Sequence, residues 1–187
     1  MARPVLSSLR AWLRRARDDE DGTSTIPFVI FVPFLITLVV SSLEMGMLMT
    51  RHVMLERALD LTVRDLRLGY LPDVTHDQFK QLVCDHSALI PDCENVLLIE
   101  LRPVSTVTWE PLNSGAICVD RNAAVQPATQ FDQGAGDQIM LIRACAKFDP
   151  IFPTTGLGLN LPKDNTGAYA LVTSSAFVNE PEVAGGS

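Results

Sequence analysis

Four cysteines are the residues of this chain whose spacing defines a chemistry best. They are Cys84, Cys93, Cys118 and Cys145, all beyond an apolar N-terminal region. An even number of cysteines in one region favours a disulfide-bonded domain in an oxidising compartment. Four cysteines allow three pairings. We favour Cys84–Cys93, which a turn brings together, and Cys118–Cys145, between two predicted strands.

The same cysteines could bind a metal ion, but their spacing does not favour it. No C-x2-C pair occurs, and His76 and His86 complete no zinc-ligand spacing. The sequence also contains no G-x-S-x-G, H-E-x-x-H or P-loop motif. We therefore predict that the protein is not an enzyme and uses no metal or other cofactor.

Glu44 is the single charged residue in an apolar segment from Thr23 to Thr50. A charge inside a membrane span costs on the order of 2.5–3.5 kcal/mol, so it usually has a partner. One interpretation puts Glu44 at the outer rim of the membrane, snorkelling or protonated. The other is a contact with another helix in the membrane, for which Gly46 permits close approach.

The apolar segment is long enough to cross a membrane, since about 20 apolar residues span a bilayer core. It is too long for an ordinary signal peptide and lacks the small-residue cleavage site of one. Pro33 within the segment predicts a kink. The helix should continue beyond the membrane to Leu68, where Gly69 ends it. An apolar stripe at helical spacing marks this continuation: Leu48, Leu55, Leu59, Thr62 and Leu66.

Basic residues and cysteines together indicate the orientation. Five arginines precede the span, and an excess of Lys and Arg marks the cytoplasmic side. Arginines also follow the span, so the cysteines decide for a cytoplasmic N-terminus and an external C-terminal domain. The net charge of -7 argues against nucleic-acid binding because an acidic domain repels phosphates.

The region after the long helix is predicted to be a small α+β domain. Thr75 and Gln78 form a capping-box pattern that begins a helix ending near Ala88. Strand-like runs then follow at 96–104, 116–120, 138–148 and 168–178.

The third of these runs alternates between two kinds of side chain. One face is apolar and the other carries Arg143, Cys145 and Lys147, which predicts a half-buried antiparallel strand. We expect a small antiparallel sheet packed against the apolar stripe of the long helix. The predicted organisation is a basic cytoplasmic leader at 1–22, a transmembrane helix at 23–50, its amphipathic continuation at 51–70, and an extracytoplasmic α+β domain at 71–187.

With these residues in view, the chain resembles the TadE/TadG-like family of the tight-adherence (Flp) pilus system. Members are small bitopic proteins with type IV prepilin-like N-termini. The resemblance covers about residues 18 to 68. Its pattern is a charged stub ending in Asp21-Gly22, then Phe28, Pro33 among apolar residues, Leu43-Glu44-Met45-Gly46, and alternating charged and apolar residues through Arg67.

The resemblance implies cleavage after Gly22 by a prepilin peptidase, which would make Thr23 the mature N-terminus. It also implies insertion beside other pilin-like helices in the bacterial inner membrane. Family members with a full prepilin signature place Glu at the fifth mature position, but Pro27 stands there in this chain. Either Glu44 substitutes for it, or the protein does not polymerise in the usual stagger, or processing is lost.

The sequence therefore predicts a non-enzymatic, pseudopilin-like minor subunit or assembly component of a tight-adherence pilus. Its partners would be the membrane, other pilin-like subunits, the pilus assembly machinery and, if it is processed, the prepilin peptidase. The alternative is a membrane-tethered extracytoplasmic binding module that enters no pilus. The turn-rich loop at 149–166 would then be its contact surface.

Overall fold

The computed structural model describes residues 25–112 and 114–180. The predicted leader at 1–22 and the predicted cleavage site between Gly22 and Thr23 lie outside these residues. The first element is helix α1 (Thr25–Arg67), which has 43 residues and is therefore about 65 Å long. The helix continues through Pro33, whose carbonyl accepts a hydrogen bond from the Thr37 hydroxyl at 2.8 Å. The kink at this position stays a prediction.

Helix α1 has two halves with opposite surroundings. No residue of its most apolar stretch is buried, and Phe28 and Ile30 are 65% and 71% exposed. Among the described residues it is the one helix long and apolar enough to cross a membrane, a property shared by membrane anchors and signal sequences. In the upper half, the predicted apolar stripe packs into the domain core, so the stripe is confirmed. Its buried residues are Leu55, Ala58, Leu59, Thr62 and Val63.

Six further elements build the rest of the fold. They are α2 (His76–His86), α3 (Cys93–Val96), β1 (Leu97–Pro103), β2 (Ile139–Phe148), α4 (Gly156–Asn160) and β3 (Tyr169–Val178). Helix α2 begins at the capping box predicted for Thr75 and Gln78, with both reciprocal hydrogen bonds present. Its buried Phe79 and Val83 belong to the same core as the stripe of α1.

The three strands form one antiparallel sheet in the order β1-β2-β3. Alternate apolar residues of the central strand, from Met140 to Phe148, join the core shared with α1. The predicted α+β architecture, a long helix with a small antiparallel sheet, is confirmed. The strand predicted at 116–120 is wrong, because that run lies in the connection between β1 and β2 and forms no ladder. A disulfide at Cys118 holds it instead.

Strand β2 is not half-buried as predicted, because both of its faces are covered. Arg143 is 7% exposed and Cys145 is fully buried. The long connection from β1 folds back over this second face. The Arg143 guanidinium donates to the carbonyls of Pro111 at 2.7 Å and Ser114 at 2.6 Å. Arginine can be buried on this face of the strand because its planar guanidinium donates to several backbone carbonyls at once.

Both favoured disulfides are present. Cys84 and Cys93 have Cα atoms 5.7 Å apart, and Cys118 and Cys145 have Cα atoms 5.1 Å apart. The first closes the turn between α2 and α3. The second fastens the β1–β2 connection to the central strand, at its register position opposite Val172.

Candidate functional site

The loop at 149–166, here called the docked loop, packs against α1 through the carboxylate of Glu44. This side chain is 1% exposed, although it belongs to the otherwise exposed half of the helix. Its Oε1 accepts the backbone N–H of Ile151 at 3.1 Å, and its Oε2 accepts that of Phe152 at 2.9 Å. A carboxylate with two backbone donors has the partners that a buried charge requires.

A second contact lies one helical turn lower. The Ser41 hydroxyl accepts the backbone N–H of Leu157 at 3.2 Å and donates to the Thr37 carbonyl at 2.7 Å. Gly156 lies directly beside it with φ of +52°, and a Cβ at this position would collide with Ser41 Oγ. Only glycine therefore combines this backbone conformation with so close an approach to the helix.

The docked loop also satisfies many of its own backbone groups. Lys163 Nζ donates to the carbonyls of Gly158 at 2.8 Å and Pro153 at 3.4 Å. The Asn160 side chain donates to the Gly156 carbonyl at 3.0 Å, and the short helix α4 bonds internally. No charged residue occurs between Asp149 and Lys163. Several backbone groups of the loop thus have partners within the protein, and its exposed side chains include Thr154 and Thr155 together with the apolar Ile151 (44%) and Leu159 (59%).

Above Glu44, a second ring of contacts joins α1 to the strand ends. Arg51 Nη1 donates to the Tyr169 hydroxyl at 3.0 Å, and its guanidinium carbon lies 4.9 Å from the centre of the Phe148 ring. The His52 imidazole is 3.2 Å from the Val172 carbonyl. A cation over an aromatic face is favourable, so Arg51 ties the end of β2 to the helix.

A cleft of about 580 Å³ opens beside Arg51, but its other cations have partners. Arg121 pairs with Asp149 at 2.7 Å, and Lys147 pairs with Asp164 at 2.6 Å. The Lys147 ammonium, and after it the Thr166 hydroxyl, hold the pKa of the Asp164 carboxyl well below its usual range. Asp164 also accepts the backbone N–H groups of Thr166 and Ala168, so it stabilises the turn that leads into β3.

The structure separates the two residues predicted to contact another helix. Glu44 is engaged by the chain's own docked loop. Gly46 faces open space, since no heavy atom lies within 4 Å of a Cβ built there. Contact of Gly46 with a further helix stays a prediction. In residues 25–112 and 114–180, no group of three or more His, Cys, Asp and Glu side chains could hold a metal ion.

Sequence reasoning missed Ser41, Gly156 and the docking of the loop. It named 149–166 only as the contact surface of the alternative, a tethered binding module. Two sequence features were consistent with docking, the uncharged and largely apolar run of the loop and the lone carboxylate in the apolar helix. What no pattern supplied was the register between helix and loop, which are more than a hundred residues apart.

No family model matches the chain. No significant match was found among curated proteins or among solved structures.

Proposed function

We propose that this protein is a bitopic, pseudopilin-like minor subunit or assembly component of a tight-adherence pilus. The observation that supports it best is the division of α1 into two halves. The lower half exposes most of its apolar side chains, whereas the upper half is built into the core of a disulfide-bonded α+β domain. This arrangement suits a chain whose helix is first inserted in a bilayer and then packs against neighbouring helices.

The exposed half of α1 requires a cover. Burying one large apolar side chain contributes about 1.5–3 kcal/mol, so covering this half is worth on the order of tens of kcal/mol. Lipid can supply that cover, and so can other pilin-like helices. We propose that it crosses the inner membrane with the arginine-rich stub in the cytoplasm. The two disulfides support an oxidising, extracytoplasmic location for the domain.

The contacts of Glu44 bear on the missing carboxylate at position 27. Of the explanations for Pro27, substitution by Glu44 has the least support, because this carboxylate already accepts two backbone N–H groups of the docked loop. Because Glu44 is 1% exposed, meeting the N-terminal amine of a neighbour would require the docked loop to move away. A subunit used once, at a tip or for initiation, has no need of that repeated contact. This favours a minor subunit over a filament-forming one.

The test is expression of the full chain, tagged at its C-terminus, in a host that assembles a tight-adherence pilus. Mass spectrometry of the membrane-extracted protein should give Thr23 as the N-terminus, and the variant Gly22→Leu should keep Met1. Pilin-like subunits should co-purify with the processed protein.

An intact Met1 in the unmodified protein would contradict processing by a prepilin peptidase. A processed or unprocessed protein that stays in the membrane fraction without any pilus component would favour the tethered binding module. The docked loop supports that alternative poorly, because its backbone is turned toward α1.

A further inference from the structure

We infer that the docked loop is a second membrane contact, immersed in the outer half of the bilayer beside α1. The inference rests on the proposed membrane crossing of α1. Its ligand is the acyl-chain region of lipid. The residues that would contact the acyl chains are the exposed Ile151 and Leu159 and the half-exposed Phe152 and Leu157.

The depth of the loop follows from where it touches the helix. No charged residue lies between Asp21 and Glu44, and about 20 helical residues cross the hydrocarbon core. A span that begins directly after Asp21 ends near Ser41, and any later start moves its upper end further along. The loop meets α1 at Glu44 and Ser41 and approaches the Thr37 carbonyl at Gly156. Ser41 and Thr37 are about 4.5 and 10 Å below Glu44 along the helix. The tip of the loop therefore lies at the level of the outer leaflet.

Groups of the protein satisfy several polar backbone atoms on the side of the loop that faces α1. Irregular backbone is tolerated at membrane depth where it is buried against protein. Glu44 and Ser41 accept the amides of Ile151, Phe152 and Leu157. Lys163 Nζ donates to the Gly158 and Pro153 carbonyls, and the Asn160 amide donates to the Gly156 carbonyl. Prolines at 150, 153 and 162 have no N–H to satisfy.

The residues above the loop fit the polar boundary of the membrane. Arg51 lies seven residues beyond Glu44, about 10 Å higher along the helix, which is the level of the headgroups. The first charged residues on either side of the apolar run are Asp149 and Lys163, and the Lys163 ammonium is held by the Gly158 and Pro153 carbonyls. Because α1 is part of the domain core and the loop adds a second contact with lipid, the tilt of the sheet relative to the membrane is restricted.

The experiment measures quenching of tryptophan fluorescence by lipids brominated on their acyl chains. The full chain is reconstituted in vesicles after Trp12→Phe and Trp109→Phe. Leu159→Trp and, separately, Ile151→Trp place one reporter on the loop. Phe34→Trp reports on the span, and Val107→Trp is the matched control, an exposed residue (87%) just beyond the opposite end of the sheet.

We expect Leu159→Trp and Ile151→Trp to lose fluorescence to nearly the same extent as Phe34→Trp, while Val107→Trp loses almost none. If Phe34→Trp is quenched and both loop reporters behave like Val107→Trp, the loop is outside the bilayer and the inference is overturned, with the anchor intact. If Phe34→Trp itself escapes quenching, the membrane crossing fails and the proposed function fails with it.

Discussion

The backbone N–H of Phe152 donates to Glu44 Oε2 at 2.9 Å across 108 residues of sequence. The neighbouring amide of Ile151 donates to the other oxygen of the same carboxylate. One charged side chain on the apolar half of α1 therefore holds the loop that connects β2 to β3. This pair of bonds explains why a carboxylate can be buried at that level of the helix without a second helix beside it.

The first prediction concerns the second acceptor oxygen. In Glu44→Gln the carboxamide keeps one acceptor, so one of the two amides of the docked loop loses its partner. Hydrogen bonds to charged groups contribute about 1.5–3 kcal/mol, so exchange of the Ile151 and Phe152 amides should accelerate about tenfold to a hundredfold. Hydrogen–deuterium exchange of the full chain in nanodiscs measures it. Glu56→Gln, on the exposed side of the same helix, should change nothing in the loop. Equal exchange in the two variants would contradict the contact.

The second prediction separates close approach from backbone strain at Gly156. Gly156→Ala places a methyl group against Ser41 Oγ and also forces a left-handed conformation on alanine. Gly69→Ala is the matched control, because Gly69 has φ of +73° but open space around it. The conformation alone costs about 1–2 kcal/mol. Thermal unfolding should show the larger loss for Gly156→Ala, together with faster exchange in the docked loop. An equal loss of stability in both variants would mean that the Ser41 side chain moves away from the added methyl group at no cost.

The third prediction compares the two disulfides. Replacing Cys118 and Cys145 together by Ala should destabilise the domain more than replacing Cys84 and Cys93, because the loops closed have sequence separations of 27 and 9 residues. Each bridge contributes about 2–4 kcal/mol, and the longer loop adds about 1 kcal/mol of unfolded-state entropy. Denaturant unfolding of the two double variants gives the order. The reverse order would show that the β1–β2 connection holds its place without its bridge.

The fourth prediction is a pH dependence carried by Asp164. Its carboxyl has a pKa below the usual range because of Lys147 first and the Thr166 hydroxyl second. A lowered pKa in the folded state means that the ionised group stabilises the fold above the unfolded-state pKa. That contribution is lost as the pH falls through the folded-state pKa. Asp164→Asn should therefore be less stable than the unmodified protein at neutral pH, with the difference shrinking in acid. If the difference between their unfolding midpoints did not change with pH, the loss of stability would not come from the charge of Asp164.

The fifth prediction concerns the cover over the second face of β2. Arg143→Lys keeps the charge but replaces a planar group that serves several carbonyls by a single ammonium. The loss should be about 1–3 kcal/mol, concentrated in the segment around Pro111. Limited proteolysis should cut this segment faster than in the control Arg102→Lys, whose side chain is 32% exposed. Unchanged cleavage would show that the Cys118–Cys145 bridge holds the segment alone.

Much of this molecule follows from local pattern. The apolar run and the stripe from Leu55 to Thr62 predicted a helix with two different halves, since helical periodicity is a pattern of residues close along the chain. The capping box at Thr75 and three of the four strands followed from local signals of the same kind. The cysteine pairing was favoured on spacing and is confirmed.

The sequence could not assign the second face of β2 or the strand-like run at 116–120. Alternation of Arg143, Cys145 and Lys147 with apolar residues is typical of an exposed face, and only the folded connection from β1 shows that they are covered. The run at Ala116 to Asp120 has strand-like residues but pairs with neither edge strand of the sheet, β1 or β3. Both outcomes depend on how a long connection packs, which local residue types do not encode.

Sequence alone established the helix, its apolar length and the α+β class, because each is set by periodicity or by residues close along the chain. For the cysteines it favoured one pairing of three, which the fold confirmed. Tertiary structure decided the partner of Glu44 and the place of the docked loop. A buried carboxylate requires donors, and the sequence shows that requirement without showing which donors meet it. The chain meets it with the amides of Ile151 and Phe152, brought to α1 by the antiparallel return of β2 and β3.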